Sequence, residues 1–448
     1  MKQAFNKHSL SGMLIICLWM LALATRMTWA APTDDFGILP LRERAGIENQ
    51  WLQWRLEHLL PDIMNRYDID TWVILNREYN EDPVYFSLVP EPAIHSYRTT
   101  LFVFHKHDGD VRRLSTGWFR EFYQILPKEP DQTHMQALAG FLQQNNPQKI
   151  GINVSQTWHL ADGLSATLKE NLVETLPPEY SQRLVSAERL CLDWLATRSD
   201  QEIEEYRHLC RMGHQLIREF YSREVITPGV TSLDDVRWWI RQRICDLQLE
   251  TWFQPILDIQ RSPAAQKQTL EQRDIIQPGD LLHCDVGLVY LGLCTDMQWH
   301  AYVCRQDETD VPAGLKRALQ RTVGFNDIIR AEFAPGKTGL EIGNAALAKG
   351  KEMGLNPTIY CHSLGTHGHA AGLRIDTRPV NQVAEENPAR RTYPTVLNSV
   401  YAIEYCCHET IPEWDHQTIR ISFEEDAVLT SEGCQFLDGH QEKFILIK

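Results

Sequence analysis

The chain of 448 residues has eleven cysteines but no CxxC pair and no zinc-ribbon spacing, so a cysteine-built zinc module is excluded. It has no excess of basic residues. A net charge of −15 argues against nucleic acid as a partner, because phosphate binding needs a basic surface. Low-complexity and collagen-like segments are absent, and the composition is that of a soluble globular protein. A second long apolar run is also missing. The one present, Met13 to Ala24, is 12 residues long, short of the roughly 20 that a membrane-spanning helix needs.

That run has the setting of a secretory signal. Lys2 and Lys7 precede it, small residues follow, and cleavage fits after Ala30 or after Ala24. Residues 1–30 are therefore expected to be a signal peptide and the mature protein to be exported, periplasmic or secreted; an uncleaved anchor is the weaker alternative. Export permits disulfides, although the spacings reveal no pairing. Cys284, Cys294, Cys361 and Cys406 lie beside polar candidate residues and are expected to fill core space as small apolar groups.

The length suits two domains, or three. From 35 to 195, a helix-like run (Ile47 to Tyr67), apolar strand-like runs at Thr71–Leu75, Thr100–Phe104 and Lys149–Asn153, and helical stretches such as Met135 to Gln144 alternate. That alternation predicts an α/β domain. His95, His105, Trp158 and His159 in it are expected to be packing or surface groups. Ser199 with Glu202 three residues on reads as a capping box opening a long helix, Gln201 to about Arg223, and a second domain over 196–448.

The second domain carries a weak repeat. Thr227-Pro228-Gly229-Val230-Thr231 recurs as Ala334-Pro335-Gly336-Lys337-Thr338, each time with a Thr expected to cap the next helix. Each of those helices leads to a strand-like stretch, near Trp252–Ile259 and near Thr358–His362. Two facing helix-helix-strand halves would leave a central cleft, although Pro-Gly-x-Thr is also ordinary turn chemistry.

Within this domain Leu281 to Asp296 reads as a hairpin broken near Gly292, with Asp285 and Asp296 on opposite arms, eleven residues apart. One buried and one turn aspartate would be the plain reading. An acid after a Leu-Leu run is costly without a counter-charge, and a divalent metal would supply one: oxygen ligands suit manganese, magnesium, zinc or cobalt. Downstream lie His362, His367 and His369 among Gly and Ala, then Glu404 at the end of an apolar run, then Glu424, Glu425 and Asp426 inside a strand pattern. Each group alone has a bland reading. Together they give Asp, Asp, His, Glu, Glu.

In this order the chain resembles the pita-bread metallohydrolases, the family of aminopeptidase P, prolidase, methionine aminopeptidase and creatinase. Asp285-Val286-Gly287 and Thr295-Asp296 match its first two motifs, and Ala402-Ile403-Glu404 its fourth. Glu424, followed by Ala427-Val428-Leu429-Thr430, matches the fifth, with Glu425 as the alternative. The family histidine has Gly three residues on and His seven residues on; His362 meets both counts and His369 only the first. The resemblance covers nearly all of the mature chain. It implies an α/β N-terminal domain of the creatinase/prolidase type and an α+β C-terminal pita-bread domain with pseudo-two-fold halves. It further implies two divalent metal ions, manganese first and zinc or cobalt next, held by Asp285, Asp296, His362, Glu404 and Glu424. Asp296 and Glu424 would bridge them, Asp285 would hold one ion, and His362 with Glu404 the other. Glu404 and His369 would serve catalysis, with a metal-bridging water as nucleophile.

The implied activity is an aminopeptidase acting on the N-terminal residue of short peptides, with Xaa-Pro bonds as the expected target. A homodimer is left open. Two departures bear on this. Thr358 stands where prolidase-like members often carry a further His, and Ser422 where prolidases often carry Arg. A creatinase-like hydrolase or lyase of a small molecule is thus the alternative, and a metal-free binding module a third.

Overall fold

The computed structural model describes residues 36–268, 273–378 and 387–448; the expected signal peptide lies outside them. Among the described residues no helix is long and apolar enough to cross a membrane. Residues 42–448 form one compact unit.

Six strands make the first sheet: β1 (Thr71–Arg77), β2 (Thr99–His107), β3 (Asp110–Ser115), β4 (Gln124–Ile125), β5 (Ile150–Ile152) and β6 (Leu184–Ser186), in the order β4-β3-β2-β1-β5-β6. Alternation along β1 and β2 explains why both faces are covered. Trp72, Ile74, Phe102 and Phe104 enter one core, while Val73, Leu75, Leu101 and Val103 enter another beneath helices His134–Asn145 and Ala166–Thr175. The β1–β5 and β5–β6 pairs are parallel, and the helices between them provide the crossovers that parallel strands require. As expected, His105 and Trp158 pack: His105 Nδ1 sits 2.8 Å from Thr71 Oγ1, and Trp158 joins the first of these cores.

The capping box is present. Ser199 Oγ accepts from the Glu202 backbone N–H, Glu202 Oε2 accepts from the Ser199 N–H, and helix Asp200–Phe220 follows. Glu202 is buried and also takes Arg198 at 2.9 Å and Arg55 at 3.3 Å. Because Arg55 belongs to a π-helical turn inside the N-terminal helical run, this one acid ties that run to the start of the long helix.

The second sheet contains β7 (Ile256–Gln260), β8 (Leu281–Val286), β11 (Met297–Val303), β12 (Thr358–Leu364), β13 (Arg374–Asp376), β14 (Ser399–Ile411) and β15 (Gln417–Thr430). Between β8 and β11 lies a small hairpin of β9 (Val289–Tyr290) and β10 (Leu293–Cys294). The sheet order is β13-β12-β14-β15-β11-β8-β7, with β16 (Gly433–Phe436) on β15 and β17 (Ile445–Ile447) on β11. Leaving out β13, the path is a palindrome. The trio β12-β14-β15 meets its counterpart β7-β8-β11 at the β15–β11 pair, and these are the pseudo-two-fold halves expected from the repeat. Each half begins with a capped helix, Leu233–Asp246 or Gly339–Glu352. One detail differs: Thr338 caps the second helix, but Ser232 rather than Thr231 caps the first, with Asp235 closing its capping box. Thr231 Oγ1 instead accepts the Thr227 N–H at 2.9 Å, a turn contact that competes for the same hydroxyl.

Candidate metal centre

The hairpin expected at Leu281–Asp296 is built in two stages. Its outer arms are β8 and β11, which pair Val286 with Met297 and Asp285 with Gln298. Its tip is the β9–β10 hairpin, closed by Leu291 and Gly292, both at positive φ (51° and 65°), the geometry of a type I′ turn. Asp296 thus sits one residue before β11, and its backbone N–H donates to Asp426 Oδ1 at 3.2 Å.

Strand register then aligns the site. Glu404 on β14 lies opposite Glu424 on β15, Glu424 opposite Gln298 on β11, and Gln298 opposite Asp285 on β8. Directly opposite residues share a face, so Glu404, Glu424, Gln298 and Asp285 form one row across four strands. Asp296 precedes Gln298 by two residues and points the same way. His362 on β12 pairs with Ala402, two residues from Glu404, and so borders the row. All five expected ligand residues are brought together: His362 Nε2 lies 3.4 Å from Asp296 Oδ2 and 3.9 Å from Glu424 Oε1. Asp285, Asp296, Glu404, Glu424 and His369 line one cavity of about 560 Å³, and His362 is buried beside Asp296 and Glu424. His369 stands over His362 with ring centroids 4.8 Å apart, and its other side meets Trp252 at 5.1 Å. His367 does not line the cavity; Thr366 Oγ1 holds its Nδ1 at 3.2 Å.

Alternation also separates Glu424 from Glu425. Glu425 points behind the sheet, where Trp299 Nε1 donates to it at 2.6 Å and His214 Nε2 lies 2.8 Å away. Cys284, Cys294 and Cys361 are buried as expected, but Cys406 is half-buried and lines the cavity, since it shares the face of Glu404 on β14. All described cysteines are free thiols.

Electrostatics makes this row unusual. Burial, with mutual repulsion, raises the carboxyls of Asp296 and Glu424 far above the ordinary range, and burial with Asp285 nearby takes Glu404 to about 8. Asp285 is also raised, chiefly by burial. Burial, aided by His369, keeps His362 neutral. Among the described residues, Asp285 Oδ1, Asp296 Oδ1, Glu424 Oε1 and His362 Nε2 are buried without a hydrogen-bond partner. Four carboxylates and one neutral imidazole, with unpaired atoms converging, are a fitting donor set for a divalent cation. Asp296, His362 and Glu424 can each direct one atom into a common sphere, the three atoms lying within 4.8 Å of one another.

A model of metallopeptidase family M24 matches residues 204–431, just over half of the chain. The chain belongs to this family. It is a peptidase-type hydrolase by family, on a pita-bread fold with an additional N-terminal domain. No curated protein matches it. Among solved structures, an X-Pro aminopeptidase from Thermotoga maritima superposes with a TM-score of 0.61 at 15% identity, over 86% of this chain and 100% of that one. Prolidase from Pyrococcus furiosus gives 0.53 at 16%, over 85% and 99%. The N-terminal domain of FACT complex subunit SPT16 from Cicer arietinum gives 0.54 at 12%, over 89% and 99%. At such identities the likeness shows the fold alone. The donor set, rather than the fold, is therefore the guide to chemistry.

Several cavity residues were not singled out from the sequence. Gln298 and His283 lie in the central row or beside it, Trp252, Phe253 and Tyr360 form an aromatic wall, and Arg378 and Arg420 stand at the rim. Thr358 and Ser422, the two departures from the prolidase pattern, line the cavity too. Arg420 follows the same strand face, two residues before Ser422. Only Gln298 left a trace: a polar residue two positions after Asp296, at strand spacing.

Proposed function

We propose that the protein is a dinuclear metal-dependent aminopeptidase that removes the N-terminal residue of short peptides, with Xaa-Pro bonds as its target. The observation that carries this reading is the meeting of five residues around unpaired buried donor atoms: Asp285, Asp296, Glu404 and Glu424 line one cavity, and His362 Nε2 lies 3.4 Å from Asp296 Oδ2. Asp296 and Glu424 would hold both ions, Asp285 one of them, and His362 with Glu404 the other; manganese is the first choice, zinc or cobalt the next. A divalent cation supplies Lewis acidity there, polarising a carbonyl and acidifying water.

The chain's own residues do the rest. Glu404, kept ionised by a bound cation, would be placed to take a proton from the attacking water and return it to the leaving nitrogen. His369, above His362, can donate from a ring N–H to charge developing on the carbonyl oxygen. Trp252 and Phe253, in edge contact at 4.4 Å and both lining the cavity, offer an apolar surface suited to a pyrrolidine ring. We also infer that residues 1–30 are a signal peptide and that the mature protein is exported.

A second reading, a hydrolase or lyase of a small molecule, draws on Thr358 and Ser422 in the cavity where prolidases often carry His and Arg. A panel of Xaa-Pro and Xaa-Ala dipeptides and tripeptides, assayed with manganese, zinc or cobalt, separates the two. Release of the N-terminal residue, fastest before proline, is expected. A metal-loaded protein that cleaves no peptide in the panel refutes the peptidase assignment.

A further inference from the structure

At the centre of the carboxylate row stands one residue that is not an acid. In the palindromic sheet Gln298 on β11 occupies the position that Glu424 holds on β15, and Asp285 on β8 the position of Glu404 on β14. Its single amide nitrogen serves both glutamates, donating to Glu424 Oε2 at 2.6 Å and to Glu404 Oε1 at 2.9 Å. Each of its two N–H groups has a carboxylate to itself. With the two acids ionised, as metal binding requires, a flip would set the carbonyl oxygen against two carboxylates. The same amide meets a second partner: Gln298 Oε1 lies 2.8 Å from His283 Nε2, where a ring N–H would donate to it. The His283 ring is fixed in turn by Asp258 Oδ2 at 2.8 Å from Nδ1, and Arg420 holds Asp258 at 2.9 Å. A chain of side chains thus runs from the cavity rim at Arg420, through Asp258 on the edge strand β7, to both glutamates.

The consequence is a choice of oxygen atoms. With Glu424 Oε2 committed to the amide, Glu424 Oε1 is left without a partner and faces His362 Nε2. We propose that Gln298 is a positioning residue for metal binding: its amide, locked by His283 and Asp258, fixes the rotation of Glu404 and Glu424, so that the free Glu424 oxygen is aimed at the space shared with His362 and Asp296 before any cation arrives. Groups that hold a ligand in this way commonly govern metal affinity about 10- to 100-fold when removed. The proposal rests on the metal reading of the cavity.

The test is calorimetric titration of manganese and cobalt into the chelator-stripped full chain. Wild type is compared with Gln298→Met, which keeps the side chain's length and loses both donors, and with His283→Gln, which keeps the amide and loosens its lock. Gln298→Met is expected to bind about 10- to 100-fold more weakly and to alter the visible spectrum of bound cobalt. The metal-free variant should stay folded with a modest loss of melting temperature from two acids left without their donor; the altered cobalt spectrum is the readout that a purely structural role would not give. His283→Gln should fall between the two. Wild-type affinity and spectrum in Gln298→Met overturn the proposal. If Gln298→Met does not fold, His283→Gln decides by the same two readouts. Failure of the wild type to take up either cation is a different result, which overturns the metal reading itself.

Discussion

Behind the carboxylate row, His214 on helix Asp200–Phe220 offers a perturbation whose size follows from the structure. Its Nε2 lies 2.8 Å from Glu425 Oε2 and its Nδ1 2.9 Å from Asp438 Oδ2. An ionised carboxylate only accepts, so both ring nitrogens must carry protons and the ring is an imidazolium. Burial alone would lower its pKa, but Glu425 and Asp438 outweigh burial and raise it from 6.5 to about 9. The ring lies tilted against Trp299 at 4.7 Å, Arg218 lies over that same indole, and Cys210 and Asp426 meet a turn earlier. A group whose folded pKa exceeds its unfolded one contributes stability that is complete below the unfolded value and is lost as pH rises through the folded value. Here the window runs from about 6.5 to about 9. At roughly 1.4 kcal/mol per pH unit, the amount lost is about 3 kcal/mol.

The variant His214→Gln removes the cation and leaves two acids facing each other, one of them fully buried. It should cost about 3–5 kcal/mol at pH 6. Urea unfolding of metal-free wild type and variant at several pH values from 6 to 10 measures the effect. The difference between the two proteins cancels other titrations in that range, and it should shrink by about 3 kcal/mol between pH 6 and pH 10. A difference that stays constant over that range refutes the assignment of a charged, doubly paired His214.

Two other outcomes can be checked directly. His362→Ala and Asp285→Asn should lose metal and activity together, by elemental analysis and peptide assay, whereas His369→Ala should keep metal and lose most activity; metal lost from the His369 variant and retained in the His362 variant would exchange the two roles. N-terminal sequencing of the protein recovered from its native host should begin after Ala30 or Ala24, and a soluble cytoplasmic protein beginning at Met1 would end the export inference.

The residues legible in the sequence were those whose meaning travels with local spacing. Asp285 and Asp296 could be placed on two arms because the hairpin between them is short. Ser199 and Glu202 could be paired because a capping box spans three residues. The short strands β3, β4 and β6 carried no comparable pattern, and β4 is only two residues long. The Glu424–Glu425 ambiguity shows where spacing stops. Both lie in one strand, both are buried, and either could follow the apolar run. Their fates are set by what reaches them from outside: Gln298 and His362 on one face, Trp299 and His214 on the other, with His214 separated from Glu425 by 211 positions in the chain. A buried acid in a strand must find a cation, a set of donors or a metal, and the sequence states that need without stating which partner meets it. Gln298 is the same case inverted. Its side chain is unremarkable by type, and its importance arises from cross-strand register that places two glutamates, one from each of two other strands, within reach of one amide.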